Sequence, residues 1–241
     1  MNEARFPYKT CINVAGIPVA LILRHEETAK YFNAFSSGDP GAETAAVSED
    51  EWQAWLQAGG TDNSYGEFTC ATGVVSDALL RHRRCIIHAA AFRFQDRAWL
   101  IAGPPGVGKT TQVRNLQAIL PGEFPVICGD RPALELTEDG VFVHPSPWNG
   151  KEGMRGADGA FLAGFIILER GEENLFSKLS PQEAISPLFS SLICTAETEE
   201  TIHELASFAD SFLRKIPVYK LTSFSIPGST ELLYRELFSR R

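Results

Sequence analysis

A glycine-rich segment at residues 103–110 carries the clearest chemical signal in this sequence. It reads GPPGVGKT and matches the pattern G-x-x-x-x-G-K-[ST] at every required position. Glycines let such a loop turn its backbone N–H groups inward, where they form a concave site for phosphate oxygens. Lys109 is spaced to reach the β- and γ-phosphates, and the Thr110 hydroxyl is placed to ligand Mg²⁺. The loop therefore predicts a nucleoside triphosphate site, although it does not indicate which reaction follows.

The segments on either side of the loop are those that such a site needs. The apolar run Ala98–Ala102 predicts a strand before the loop, and a helix over Thr110–Ile119 is expected after it. The N-terminus of that helix adds partial positive charge where the anion would sit. The predicted nucleotide-binding residues are Gly103, Pro104, Pro105, Gly106, Val107, Gly108, Lys109, Thr110 and Thr111.

Asp130 is the predicted carboxylate partner of the phosphate loop. It follows the apolar strand Pro125–Cys128, and the carboxyl ends of strands in such sheets present ligands. A carboxylate there would hold Mg²⁺ together with Thr110, or take a proton from the phosphoryl acceptor. The alternative is an aspartate that caps a helix or closes a turn. Arg131 next to it would either neutralise phosphate charge or pair with an acid.

His88 is a candidate site residue because it lies in an apolar strand segment fifteen residues before the loop. The alternative is a core histidine whose ring is satisfied by hydrogen bonds. The remaining histidines show no metal-ligand spacing with one another; they are His25, His82, His144 and His203.

The segment at residues 145–153 is the other unusual stretch, because it combines prolines and glycines with Trp148, Lys151 and Glu152. Such a composition is typical of a mobile loop over a site. We therefore interpret Arg131, Trp148, Lys151 and Glu152 as a lid, while an ordinary surface turn would have the same composition.

Composition excludes several classes of protein. The chain has 241 residues, 44% of them hydrophobic, and a net charge of -8, which excludes a disordered or collagen-like chain. No apolar run approaches the length of about 18 residues that a membrane helix needs, and the acidic balance disfavours nucleic-acid partners. The first residues lack the build of a signal peptide. Five widely spaced cysteines without a C-x-x-C pair predict core thiols in a reducing compartment, so we expect a cytoplasmic protein.

The chain divides into a small N-terminal α+β segment, residues 1–83, and a core with the phosphate loop, residues 84–241. The predicted strands are Lys9–Val14, Ile17–Leu23, Ile86–Phe94, Ala98–Ala102, Pro125–Cys128, Ala133–Leu136, Val141–Val143, Phe161–Leu168 and Val218–Leu221. The predicted helices are Thr28–Phe35, Glu49–Ala58, Val74–His82, Thr110–Ile119, one that begins at Pro181, Ile202–Ile216 and Thr230–Phe238.

Taken together, these motifs resemble the HPr kinase/phosphorylase-like ATP-binding proteins, whose P-loop fold is related to phosphoenolpyruvate carboxykinase. The resemblance covers roughly residues 85–220 and depends on the sequences IHAAA at 87–91, GPPGVGKT at 103–110 and CGDR at 128–131. A bacterial branch of these proteins also has a P-W-x-G-K-E loop like residues 147–152. The resemblance implies an α/β fold: a P-loop core with a mixed β-sheet flanked by helices, plus the small N-terminal layer.

The resemblance also implies roles for individual residues. Lys109 and the loop amides would hold phosphates, Thr110 would bind Mg²⁺, Asp130 would act as a metal-linked carboxylate or general base, and His88 would line the transfer site. This chain departs from the pattern in one respect, because the HPr kinases have paired aspartates where it has Gly129 and Asp130. The metal and base roles would then fall on one carboxylate, or be shared with Glu152.

The function expected from these features is an ATP- and Mg²⁺-dependent kinase that transfers the γ-phosphoryl group to a hydroxyl. The acceptor is left open between a peptide or protein serine and a small molecule, and the resemblance allows a homo-oligomer. The missing second aspartate favours an alternative, a non-catalytic nucleotide-binding switch that acts with a partner protein. A carboxykinase proper is not expected, since those enzymes are about twice as long and need more metal and substrate ligands.

Overall fold

The computed structural model describes residues 8–39, 41, 43–150, 158–195 and 198–239. These residues form an α/β fold with two sheets, one of ten strands and one of three. The large sheet is mixed and is flanked by helices, as predicted. Among the described residues, no helix combines the length and the apolar character needed to cross a membrane.

The N-terminal part begins with the predicted hairpin, whose two strands pair antiparallel across Ala15 and Gly16. A third strand, which the sequence did not indicate, joins the hairpin in parallel. The elements are β1 (Tyr8–Val14), β2 (Ile17–Leu23), α1 (Thr28–Tyr31), a 3-10 turn at Asn33–Phe35, β3 (Glu43–Ala46), α2 (Glu49–Gln57) and α3 (Ser64–Leu80).

Helix α3 begins ten residues before the predicted start at Val74. The side chain of Asn63 accepts a hydrogen bond from Gly66 N at 2.8 Å and so caps the helix at this earlier point. Ten of its seventeen residues are buried, so the helix lacks the single apolar stripe by which a surface helix is recognised in sequence.

The second part holds the large sheet and the remaining helices. Its elements are β4 (Arg84–Ile87), β5 (Ala89–Phe94), β6 (Arg97–Ala102), α4 (Lys109–Ile119), β7 (Val126–Cys128), β8 (Ala133–Leu136), β9 (Val141–His144), β10 (Ala160–Arg170), β11 (Leu175–Lys178), α5 (Pro181–Phe189), β12 (Leu192–Ile193), α6 (Glu199–Lys215), β13 (Val218–Ser223), α7 (Ile226–Leu233) and a π-helical turn at Tyr234–Phe238.

The direction of the strands brings several loops to one edge of the large sheet. Strands β6, β10 and β13 are parallel neighbours, and β5 pairs antiparallel with both β6 and β7. Strands β6 and β7 therefore run the same way. Along this edge lie, in order, the end of β7, the start of β5, and the ends of β6, β10 and β13.

The predicted strand Ile86–Phe94 is interrupted at His88 and forms parts of two strands, β4 and β5. Strand β4 pairs with β12 and β8, whereas β5 pairs with β6 and β7. At the break, His88 N donates to Ser191 O at 2.7 Å and Ala89 N donates to Asp130 O at 2.9 Å. The chain thus changes neighbours at His88, which places this residue at the sheet edge described above.

The two parts of the chain share one hydrophobic cluster. N-terminal residues such as Phe32, Phe68 and Val75 pack in it with Ala133 and Trp148 of the second part. Burying these apolar surfaces together favours the observed contact of the two parts. The boundary after residue 83 stays a prediction.

Candidate active site

The glycine loop connects the end of β6 to the start of α4, as predicted. Its backbone takes positive φ angles at Gly103 and Gly108, +151° and +112°, which side chains rarely adopt. A Cβ at Gly103 would lie 2.3 Å from Leu168 O, and one at Gly108 would lie 2.8 Å from Ile226 Cδ1. Conformation therefore favours glycine at both positions, and at Gly103 the nearby backbone oxygen leaves no space for a side chain.

Lys109, the first residue of α4, is folded back over the loop. Its Nζ donates to Gly103 O at 2.9 Å, and the residue is only 8% exposed. Burial lowers the pKa of Lys109, with the negative charge of Asp130 acting in the opposite direction. A phosphate in the loop would offer this ammonium stronger, charge-assisted partners than the backbone carbonyl it now contacts.

Asp130 and His88 lie together beside the loop. His88 Nε2 is 3.3 Å from Asp130 Oδ1, and both side chains are about 30% exposed. Burial raises the pKa of Asp130, but the hydrogen bond with His88 and the positive charges of Arg131, His88 and Lys109 outweigh burial. The pKa is held below its ordinary value, so the carboxyl is ionised at neutral pH.

Arg131 is held between the Asp130 carboxylate and helix α3. Its Nε lies 3.4 Å from Asp130 Oδ2. Its Nη1 donates to Thr72 Oγ1 at 2.6 Å and to Thr69 O at 3.2 Å. Of the two roles considered from sequence, the observed contacts show pairing with an acid, and they also connect the N-terminal part to the site.

A cavity of about 700 Å³ opens over these groups. It brings together most of the predicted residues, whereas Gly103, Pro104 and Val107 belong to the loop without lining the cavity. The predicted residues that line it are His88, Pro105, Gly106, Gly108, Lys109, Thr110, Thr111, Asp130 and Arg131.

One wall of the cavity was missed from sequence, because it comes from the N-terminal part. Residues of α2, of the α2–α3 loop and of α3 form this wall, and Gly129, Asn149 and Gly150 also reach the cavity. The N-terminal lining residues are Trp55, Gly59, Gly60, Thr61, Tyr65 and Thr69. No helix or strand is predicted between Ala58 and Val74, and nothing local in the sequence shows that this segment faces the phosphate loop.

A second cavity of about 510 Å³ adjoins the first. The two share the lining residues Trp55, Thr69, His88 and Arg131. The second cavity continues between α3 and β12, so His88 and Arg131 lie where the two spaces meet.

Trp148 is not part of a lid. Its side chain is 2% exposed, its ring stacks on Phe68 at 5.7 Å, and its Nε1 donates to Phe68 O at 2.6 Å. The large apolar ring is more stable in this aromatic cluster than over an open cavity, which corrects the interpretation from sequence. Lys151 and Glu152, the other predicted lid residues, lie outside the described residues.

The oxygen donors at the site fit Mg²⁺. Thr110 and Asp130 line the same cavity, and protein-bound Mg²⁺ commonly takes one or two carboxylates together with phosphate oxygens and water. In the part of the chain that the structure describes, no three His, Cys, Asp or Glu side chains are grouped to hold a metal. The two oxygen donors, Thr110 and Asp130, suit an ion whose remaining ligands come from a bound nucleotide and water.

The predicted core role of the cysteines agrees with their burial. Cys85 and Cys128 are fully buried, and the other three are half-buried free thiols. Burial raises the pKa of Cys85 to about 12 and that of Cys70 to about 11. Thiols with such pKa values are poor nucleophiles.

Comparison with known proteins shows a distant likeness to a solved structure. No protein-family model matches this chain, and no curated protein matches it. Among solved structures, the chain is similar to the HPr(Ser) kinase/phosphatase from Coxiella burnetii, with 13% sequence identity and a TM-score of 0.35. The match covers 63% of this chain and 94% of that chain. A likeness of this size carries no argument about individual residues, so the site is assigned from its own geometry.

Proposed function

We propose that the protein is an ATP- and Mg²⁺-dependent phosphotransferase that moves the γ-phosphoryl group to a hydroxyl acceptor, a peptide or protein serine or a small molecule. The observation that carries the proposal is the contact of His88 with Asp130, at 3.3 Å, in the cavity that Lys109 and the glycine loop line. A phosphate cradle alone would serve any nucleotide-binding protein. A cradle with an ionised carboxylate and an imidazole beside it has the groups that phosphoryl transfer uses.

Each side chain has a role that follows from its position. The backbone N–H groups of the loop and the ammonium of Lys109 bind the phosphates and withdraw charge from the transferred group. Thr110 and Asp130 would hold Mg²⁺, which neutralises charge that develops on the phosphate oxygens. The Asp130–His88 pair orients the acceptor hydroxyl and takes up its proton.

The lowered pKa of Asp130 limits its strength as a base. In a loose phosphoryl-transfer transition state the attacking oxygen has lost little of its proton, so orientation matters more than basicity. Asp130 therefore acts mainly by holding the metal and the hydroxyl, with the His88 imidazole 3.3 Å away.

The second candidate function is a nucleotide-binding switch without catalysis. Gly129 favours this second candidate. It lines the cavity but has no side chain, whereas the kinases that the sequence resembles have a further aspartate at this position. The two functions differ in turnover. A switch binds ATP and releases it unchanged, whereas a phosphotransferase forms ADP.

The test compares ADP formation by the purified protein with that of Asp130→Asn, using γ-labelled ATP, Mg²⁺ and a panel of hydroxyl peptides and polyols. We expect ADP formation to fall about 10²- to 10⁴-fold in Asp130→Asn. Asp139→Asn is the matched control, because Asp139 is exposed in the β8–β9 turn. Tight ATP binding with no transfer to any acceptor would favour the switch instead.

A further inference from the structure

The nucleoside must lie on the side of the phosphate loop away from Asp130. The γ-phosphate belongs near Asp130 and His88, at the ends of β7 and β5, and the loop itself follows β6. Strands β10 and then β13 follow β6 along the sheet edge, on the side away from β5 and β7. Two strand spacings of about 4.8 Å put β13 roughly 10 Å across the sheet from β6. Strand β13 also continues three residues past the level of Ala102, from Lys220 to Ser223, so its end lies roughly 14 Å from that of β6.

Phe224 is the first residue after β13, at the same edge of the sheet. It is 66% exposed, which makes it the most exposed large apolar side chain in the described part of the chain. Exposing an aromatic ring to water forgoes the free energy that its burial would provide. A ligand with a flat face would recover that free energy.

The backbone under Phe224 is fixed. The side-chain oxygen of Asn174 accepts hydrogen bonds from Phe224 N at 2.9 Å and from Ser225 N at 3.2 Å. Asn174 can approach because residue 228 is glycine, where a Cβ would lie 2.6 Å from Asn174 Nδ2. A ring on a fixed backbone loses less conformational entropy on binding than one on a free loop.

The same segment contacts the phosphate loop. Ile226 lies against Gly108, at the start of α4. Behind it, Gln112 of α4 donates to Ser229 Oγ at 2.6 Å and accepts from Thr230 Oγ1 at 2.5 Å. These buried hydrogen bonds fix α7 to α4, so the position of Phe224 relative to the bound phosphates is determined by the fold.

From these contacts we propose that Phe224 is the stacking platform for the nucleobase of the bound nucleotide. This inference depends on the proposed function, since it assumes that the glycine loop holds a triphosphate. The ring face would contact any purine base.

The experiment measures dissociation constants for ATP and for inorganic tripolyphosphate, with Mg²⁺, by calorimetry. Base–aromatic stacking predicts that Phe224→Ala weakens ATP binding roughly tenfold to hundredfold, while tripolyphosphate binding stays within about twofold. Phe224→Trp keeps a ring and should retain ATP affinity within about threefold. Leu175→Ala, at another exposed apolar side chain, is the control and should change neither constant.

The outcomes separate the inference from the proposed function. Equal ATP affinity in Phe224→Ala and in the unsubstituted protein would overturn the inference, as would equal losses for both ligands. A loss of ATP affinity in Tyr65→Ala, with Phe224→Ala unaffected, would put the base on the N-terminal wall instead. If the unsubstituted protein binds neither ligand, the proposed function itself fails and the inference falls with it.

Discussion

His88 Nε2 lies 3.3 Å from Asp130 Oδ1, and the backbone holds the neighbour of His88 against Asp130, because Ala89 N donates to Asp130 O at 2.9 Å. The side-chain contact therefore follows from the pairing of β5 with β7 rather than from a chance rotamer. The carboxylate and the imidazole are presented as one unit at the edge where the phosphate loop begins. Such preorganisation lowers the cost of orienting an acceptor.

Lys109→Ala should abolish detectable nucleotide binding and leave the fold intact. The residue is nearly buried at the loop, and each hydrogen bond to a charged group contributes about 1.5–3 kcal/mol. Loss of two such bonds to phosphate oxygens should therefore lower the affinity for ATP at least about a hundredfold. Calorimetry with ATP and Mg²⁺ measures the loss, and circular dichroism checks the fold. Lys178→Ala, an exposed lysine on β11, is the control and should bind ATP normally. Retained ATP affinity in Lys109→Ala would contradict the assigned role of the loop.

Gly150→Ala should slow phosphoryl transfer through Asp130. A Cβ at Gly150 would lie 3.1 Å from Asp130 Cβ, and the residue has φ +76°. The substitution should displace the carboxylate and reduce the transfer rate about tenfold to hundredfold. Gly122→Ala is a matched control, because its φ is +87° with nothing within 4 Å.

Both glycine variants should lose about 1–2 kcal/mol of stability from left-handed strain, measured by urea unfolding. Only Gly150→Ala should lose transfer rate. Equal rates in the two variants would show that Gly150 does not position Asp130.

Trp148→Ala should destabilise the protein by about 3–5 kcal/mol, the usual cost of removing a buried tryptophan. The loss includes the hydrogen bond that its indole donates to Phe68 O. Trp55→Ala is the matched comparison, since its indole also donates to a backbone carbonyl, that of Thr61, but the ring is only half-buried. Urea unfolding should show a clearly smaller loss for Trp55→Ala, and equal losses would contradict the core position of Trp148.

His144 should make the protein less stable as the pH falls below 7. Burial lowers the pKa of His144, and this effect outweighs the hydrogen bond and charge of Glu135. The unfolded chain therefore binds a proton at a higher pH than the folded protein does. The penalty is absent above the ordinary histidine pKa of about 6.5, grows as the pH falls, and is complete below the folded pKa.

The measurement is the free energy of unfolding in urea between pH 8 and pH 5. We expect it to fall more steeply for the unsubstituted protein than for His144→Gln. His203→Gln, on helix α6 and exposed, should follow the unsubstituted protein. Parallel curves for His144→Gln and the unsubstituted protein would show that burial does not affect the titration of His144.

Features that depend on neighbours in the chain could be predicted from the sequence. The glycine loop, the hairpin at Ala15–Gly16 and the capping box that starts α5 at Ser180 and Glu183 are all present. Each depends on backbone angles or hydrogen bonds within a few residues, so the local pattern was sufficient. The start of α3 at Ser64 is the exception, because burial on most sides removes the periodic signal.

Features that depend on distant packing were decided only by the tertiary structure. Trp148 could have covered a site or filled a core, and contact with Phe68 put it in the core. The N-terminal part of the chain forms one wall of the cavity, and there Thr72 of α3 accepts a hydrogen bond from Arg131. The break at His88 exists because β4 and β5 pair with different strands. The sequence by itself thus determined where the proposed phosphate site lies, since one short loop provides it. Which groups surround the phosphate was decided by sheet pairing and core burial, which join residues far apart in the chain.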